Sequence, residues 1–183
     1  MVEAGYMDGP AMLPTRNPPT VEDIREIAMT GPWRSKSGGT LTVPFALPYA
    51  HTMDMFGYDD TELDRIPLDI RGLRMFVLED IPIGGVGGGE FHRIRVEIVV
   101  TVKGRVRWVC EDVYGGRKVL APPPETTLHL PPFILHTMES IEHGSAIAVI
   151  ANTLYNADDP RTHDTYSAAE FHTLQEHYRA KAR

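Results

Sequence analysis

Gly84-Gly85-Val86-Gly87-Gly88-Gly89-Glu90-Phe91-His92-Arg93-Ile94-Arg95-Val96-Glu97-Ile98-Val99-Val100-Thr101-Val102-Lys103-Gly104 sets the reading of the whole chain. Glu90 and His92 are one residue apart, and alternate residues of a strand share a face, so the two side chains can address one target. Glu97 has the opposite parity. It joins them only if the chain turns between Arg93 and Val96 and enters a neighbouring strand. The apolar run 96–102 supplies that strand, and Gly104 permits a tight reversal into 105–111. There Val106, Trp108 and Cys110 alternate with Arg105, Arg107 and Val109. The pattern predicts a β-hairpin.

The spacing Gly84, Glu90, His92, Glu97, Gly104 is that of the first cupin motif, with Glu90 where a first histidine usually stands. A weaker second motif runs from Pro131 through Phe133 and His136 to Ser140, with Phe133 at a usual glycine position and Ser140 replacing the usual asparagine. His136 therefore arrives from a later strand. Glu90, His92, Glu97 and His136 are the candidate ligands of a divalent metal ion. Two imidazoles and two carboxylates suit Zn, Fe, Mn or Ni and leave positions open for a substrate oxygen. In the absence of a metal, polar side chains in a barrel hydrogen-bond one another, or a carboxylate and an imidazole tuned by burial act as acid and base. Gly84 to Gly89 is not a phosphate loop. No Lys-Ser/Thr follows it, and a strand comes next, so no helix N-terminus would face an anion. It reads as flexible access to the pocket or as a plain connecting loop.

The rest of the chain extends the β pattern. Runs at 40–47, 73–80, 126–130, 134–138 and 145–153 are separated by turn residues, including Tyr114-Gly115-Gly116-Arg117 and Pro131-Pro132. About eight strands without intervening helices predict an all-β jelly-roll barrel. Thr20-Val21-Glu22-Asp23 is a capping box, and Ile24, Ile27 and Ala28 follow at helical spacing until Gly31-Pro32, which predicts a short N-terminal helix. Ser167-Ala168-Ala169-Glu170 is a second capping box, ahead of Phe171, Leu174 and Tyr178, which predicts a closing amphipathic helix. The expected organisation is an arm over 1–38 with the short helix and a jelly-roll domain over 39–183.

The chain has 183 residues with 42% hydrophobic content, enough for one core, and a formal charge of −7, which disfavours a nucleic acid partner. No apolar run approaches the roughly 18 to 20 residues of a membrane span, so no membrane is expected. A single cysteine, Cys110, and an acidic start without an apolar signal region suggest a cytoplasmic protein. Arg93, Arg95, Lys103, Arg105 and Arg107 could steer a diphosphate, although alternating basic residues usually form a solvated face. Trp108 and Phe133 could stack a base, although core packing is their commoner use. His129, His143, His163, His172 and His177 lack ligand spacing and read as surface or helper residues. Met7, Met53, Met55 and Met75 read as packing residues.

The segment Arg74-x-Phe76-x-Leu78-x-Asp80-Ile81-Pro82, the first motif, Leu130-Pro131-Pro132-x-Ile134-x-His136 and the closing Tyr155-Asn156-Ala157-Asp158-Asp159-Pro160-Arg161-Thr162-x-Asp164-Thr165-Tyr166 resemble the WxcM-like cupins over about residues 39 to 172. That family includes sugar 3,4-ketoisomerases acting on TDP-4-keto-6-deoxyhexoses. The resemblance implies a dimeric jelly roll that works without metal, with a small-molecule substrate. Its Arg-Gly-x-His-x-His signature here reads Gly87-Gly88-Gly89-Glu90-Phe91-His92, so the arginine and first histidine are replaced. Glu97 stands at a position usually held by glutamine. By resemblance His92 keeps the second histidine, Arg74 matches an arginine of the preceding strand, and His136 matches the histidine after the paired prolines.

The expected activity is thus that of an isomerase related to the ketoisomerases, with His92 and Glu90 transferring protons and Arg74, His136 and Arg95 binding substrate. A metal-dependent cyclase, lyase or oxygenase holding its ion on Glu90, His92, Glu97 and His136 is the alternative. A non-catalytic binding or scaffold cupin is the third.

Overall fold

The computed structural model describes residues 17–46 and 71–181. Among them run β1 (Arg25–Ile27), β2 (Thr30–Arg34), β3 (Thr40–Val43), β4 (Arg71–Ile81), β5 (Val86–Phe91), β6 (Glu97–Lys103), β7 (Val106–Glu111), β8 (Arg117–Leu120), β9 (Thr127–Leu130), β10 (Leu135–Ser140), β11 (Ser145–Thr153), β12 (Tyr166–Ser167) and the helix α1 (Ala168–Lys181). One antiparallel sheet has the order β1-β9-β6-β11-β4 and a second β12-β5-β10-β7-β8, with β2-β3 as a separate ribbon. The early arm through residue 16, Leu47, Met7, Met53 and Met55 lie outside the described residues.

The two sheets face each other because each strand buries alternate residues. Val106, Trp108 and Cys110 of β7 and Met138 of β10 meet Val99, Leu128, Ile147 and Val149 of the opposite sheet in one core. Trp108 and Phe133 are both buried, as core packing requires. β6 is buried from Glu97 to Thr101 without alternation. Its second face is covered too, since Ile27, Phe45 and Ile150 pack on Val96 and Ile98. At one end α1 lays Phe171, fully buried, on Phe91, Phe133 and Leu135. Its capping box forms as the sequence predicts, with the Ser167 amide donating to Glu170 Oε2 at 2.7 Å. Truncating Phe171 to alanine would cost about 3–5 kcal/mol.

Two local expectations, the helix after Thr20 and the hairpin at Gly104, are corrected. The capping box at Thr20 forms, but it opens a single 3-10 turn, Val21–Asp23, and the predicted helical stripe runs on as β1. Pairing of Arg25–Ile27 with β9 satisfies the backbone there, and Val21 and Ile24 enter the main core, so this part of the expected arm packs into the sandwich. The expected boundary at residue 38 falls in the turn between β2 and β3, which pair with each other. Gly104 does not close a hairpin: β6 pairs with β9 and β11, whereas β7 pairs with β10 and β8, so the chain crosses between sheets there. The crossing is held by the Ser145 hydroxyl and the Ile141 amide, both donating to the Arg105 carbonyl. The turn after Glu111 does close a hairpin, β7 with β8.

Candidate functional site

Glu90, near the end of β5, pairs in register with His136 of β10, and the register shifts between His136 and Thr137. Gly88 and Gly89 have φ of 75° and 77°, and a Cβ on Gly88 would lie 2.7 Å from the His136 carbonyl oxygen. Only glycine allows this approach and this backbone. Gly87 to Gly89 are therefore strand residues in an irregular ladder, not the access or connecting loop expected from composition.

The turn that parity demands lies between Phe91 and Glu97, and Asp164 clamps it. The Asp164 carboxylate accepts from the amides of Arg93 (2.9 Å), Ile94 (2.9 Å) and Arg95 (2.7 Å). Beyond the turn, Glu97 points back to the histidines. Its Oε1 lies 3.4 Å from His92 Nε2 and its Oε2 3.6 Å from His136 Nε2. Arg95 Nη1 lies 3.6 Å from Glu97 Oε1 and donates to His92 Nε2 at 3.4 Å. Donor atoms of Glu90, His92 and His136 fall within 4.8 Å of one another. His92, Arg95, Glu97 and His136 are buried, and Glu90 is half-buried. Glu90, His92 and His136 thus form one group, and Glu97 faces the two histidines of it.

Hydrogen bonds fix the imidazoles. His92 Nδ1 donates to the Asp164 carbonyl at 2.5 Å and His136 Nδ1 to the Ile134 carbonyl at 3.0 Å. A carbonyl only accepts, so both rings carry a proton on Nδ1 and turn Nε2 toward Glu97. His92 Nε2 has a partner for either state: neutral, it accepts from Arg95; protonated, it donates to Glu97. Burial opposes the Glu97 charge, but the hydrogen bond and charge of His92, with His136 and Arg95, outweigh it and hold the carboxyl down at about 2. Burial pushes the His136 imidazole below its ordinary value against the pull of Glu97, and the charge of His92 adds to the lowering.

A cavity of about 520 Å³ opens beside this cluster, lined by Arg74, Phe76, Arg95, Tyr155, His163 and Thr165. Arg95 is the residue common to the cavity and the imidazole cluster. The Arg74 guanidinium lies 5.3 Å from the ring centroids of Phe76 and Tyr155, and Tyr155 stacks on His163 at 5.3 Å. Burial and the neighbouring Arg95 lower the Arg74 pKa, and its buried Nε has no hydrogen-bond partner.

Of the basic row, Lys103, Arg105 and Arg107 are exposed, and Arg107 pairs with Glu139. Arg95 is not part of that solvated face, because the turn after Phe91 folds it inward. His143, His163, His172 and His177 are exposed, His163 also lining the cavity, but His129 is buried on β9. Tyr155, His163 and Thr165 follow β11 and were not marked as site residues by spacing. The resemblance carried by Tyr155 to Tyr166, after the last core strand, was the available signal.

Two facing antiparallel sheets with this inward cluster make the protein a cupin jelly roll. Residues 59–170 match the family described as FdtA, WxcM-like, C-terminal, and the chain belongs to that family. A comparison with curated proteins finds no match. The structure is similar to a 3,4-ketoisomerase from Helicobacter canadensis, with a TM-score of 0.59 and 15% identity over 84% of this chain and 98% of that one. It is also similar to QdtA, a sugar 3,4-ketoisomerase from Thermoanaerobacterium thermosaccharolyticum in complex with TDP, with a TM-score of 0.57 and 15% identity over 88% and 98% of the two chains. A dTDP-4-dehydrorhamnose 3,5-epimerase from Bacillus anthracis gives a TM-score of 0.52 and 12% identity over 79% and 78%. Among the described residues no helix is long and apolar enough to cross a membrane.

Proposed function

We propose that the chain is an isomerase of nucleotide-linked keto sugars that moves protons with His92. The observation that carries this reading is the placement of two guanidiniums, Arg74 and Arg95, on one cavity, with the imidazole cluster directly behind Arg95. Arg95 has Glu97 as counter-charge. Arg74 has an unmet donor, which suits an anionic group such as a diphosphate. Tyr155 and Phe76 offer flat apolar faces beside it. Family membership agrees with this substrate class, as do similar ketoisomerases in complex with TDP and with TDP-4-keto-6-deoxyglucose.

The chemistry follows from the ring atoms. His92 Nε2 takes the proton from the carbon next to the sugar carbonyl, and the electron pair passes to the carbonyl oxygen as an enediol forms. Arg95 faces the ring before the transfer and Glu97 stabilises the imidazolium after it. Glu90, half-buried, carries the proton between the two oxygens. Return of the proton to the former carbonyl carbon completes the isomerisation without net change in atoms.

A second reading has one observation in its favour. The donor set of Glu90, His92 and His136, with each imidazole held at Nδ1 by a backbone carbonyl, is how metal-ligating histidines are oriented. Glu97 would add a second carboxylate. A divalent ion there would supply a Lewis acid to a substrate oxygen. Arg95 competes for it, since its cation already faces His92 Nε2 and Glu97.

Incubation with TDP-4-keto-6-deoxyglucose, followed by proton NMR of the sugar, tests the first reading. Turnover by the native chain that is lost in His92→Gln and weakened in binding in Arg74→Gln supports it. Metal analysis of protein purified without chelator separates the two: about one ion per chain, lost in Glu90→Gln, favours the second.

A further inference from the structure

Asp164 is the point on which two features of the site depend, and it lies outside both cupin motifs. Its buried carboxylate gathers three successive amides, those of Arg93, Ile94 and Arg95, into a concave anion site made by the turn. Without that acceptor the half-buried amides of Arg93 and Ile94 and the buried amide of Arg95 would each lose a partner. The turn in turn decides whether Glu97, of opposite parity to Glu90 and His92, faces the imidazoles. The Asp164 backbone carbonyl meanwhile takes the proton of His92 Nδ1. Two residues later Tyr166 and Ser167 pair with Phe91 and Glu90, and the Arg93 guanidinium lies 4.3 Å over the Tyr166 ring, so the segment is fixed against β5 on both sides.

We propose that Asp164 is a positioning residue: its side chain shapes the turn that delivers Arg95 and Glu97 to His92, and its carbonyl sets which nitrogen of His92 faces them. A catalytic meaning for this placement rests on the isomerase reading above. The placement itself does not.

The test is nitrogen-15 NMR of the histidine rings in the full-length chain, at a pH where His92 is neutral, with His92→Gln used to assign the signal. The native protein should show one tautomer at His92, protonated on Nδ1. Asp164→Asn keeps the backbone carbonyl and one accepting oxygen but sets an amino group against the turn amides. It should shift the His92 Nε2 resonance as Arg95 and Glu97 lose their placement, leave the proton on Nδ1 with the retained carbonyl, and speed amide exchange at Arg93 to Arg95 by roughly tenfold or more. His136, held by Ile134, should keep its own tautomer in the same sample. An unchanged His92 spectrum in a folded Asp164→Asn variant overturns the proposal. So does a native His92 protonated on Nε2, a result obtained even if the variant fails to fold. Because the readout is the ring, an error about the sugar would leave it intact and would show only as absent turnover.

Discussion

Glu97→Gln removes one charge from the centre of the site while keeping its shape. The Glu97 carboxyl is held at about 2, against an ordinary value of 4.5. A group depressed on folding contributes stability that is present above its unfolded value and is lost as pH falls toward the folded one. The depression corresponds to about 3 kcal/mol, released between roughly pH 5 and pH 2. In Glu97→Gln that component vanishes. At neutral pH the variant should also leave buried Arg95 without its counter-charge, at a cost of about 3–5 kcal/mol. Urea unfolding followed by circular dichroism, run for both proteins from about pH 7 down to about pH 3, measures the difference. Other titrating groups largely cancel in that difference. It should be largest at neutral pH and shrink by about 2 kcal/mol by about pH 3. A flat difference across the range would mean that Glu97 is not held ionised by its neighbours. Equal stability at neutral pH would mean that Arg95 does not depend on it.

Gly88→Ala puts a Cβ 2.7 Å from the His136 carbonyl at a φ of 75° and should destabilise the fold by about 1–3 kcal/mol, read as a lower melting temperature. An unchanged melting temperature would show that β5 and β10 do not approach as closely as described. The His136 imidazole, lowered by burial, should titrate below the ordinary 6.5 in a pH series of ring spectra. The unfolded chain then takes this proton first, so the His136 contribution to stability is present above about pH 6.5 and is lost as pH falls through that range. Titration of His136 at or above 6.5 would contradict the balance of burial over the Glu97 charge.

The parts of this structure that depend on neighbouring residues were legible from the sequence. The alternation of Val106, Trp108 and Cys110, the long apolar run of β11 and the shared face of Glu90 and His92 all appear where period-two patterning puts them. The capping boxes at Thr20 and Ser167 also form. Where the sequence misled, the deciding partner was remote. Ile24 and Ile27 fit a helix by spacing, but β9 was waiting to pair with Arg25–Ile27. Gly104 signals a reversal without saying which sheet receives the next strand. Gly87 to Gly89 look like a loop until the approach of β10 explains the missing side chains. Spacing alone leaves Arg95 between a solvated row and the substrate contact expected of it, because nothing local announces the carboxylate that bends its backbone inward, 69 residues later at Asp164. His163 lacked ligand spacing for a related reason: its place comes from stacking on Tyr155 beside the cavity.

Proton transfer at His92 to and from a keto sugar can be observed without knowing the product in advance. With TDP-4-keto-6-deoxyglucose in deuterium oxide, the native chain should place solvent deuterium on the ring carbon beside the carbonyl, and His92→Gln should not. Tight binding of TDP by the native protein with no deuterium entering the sugar would contradict the account, since the cavity would then hold the nucleotide while His92 moved no proton.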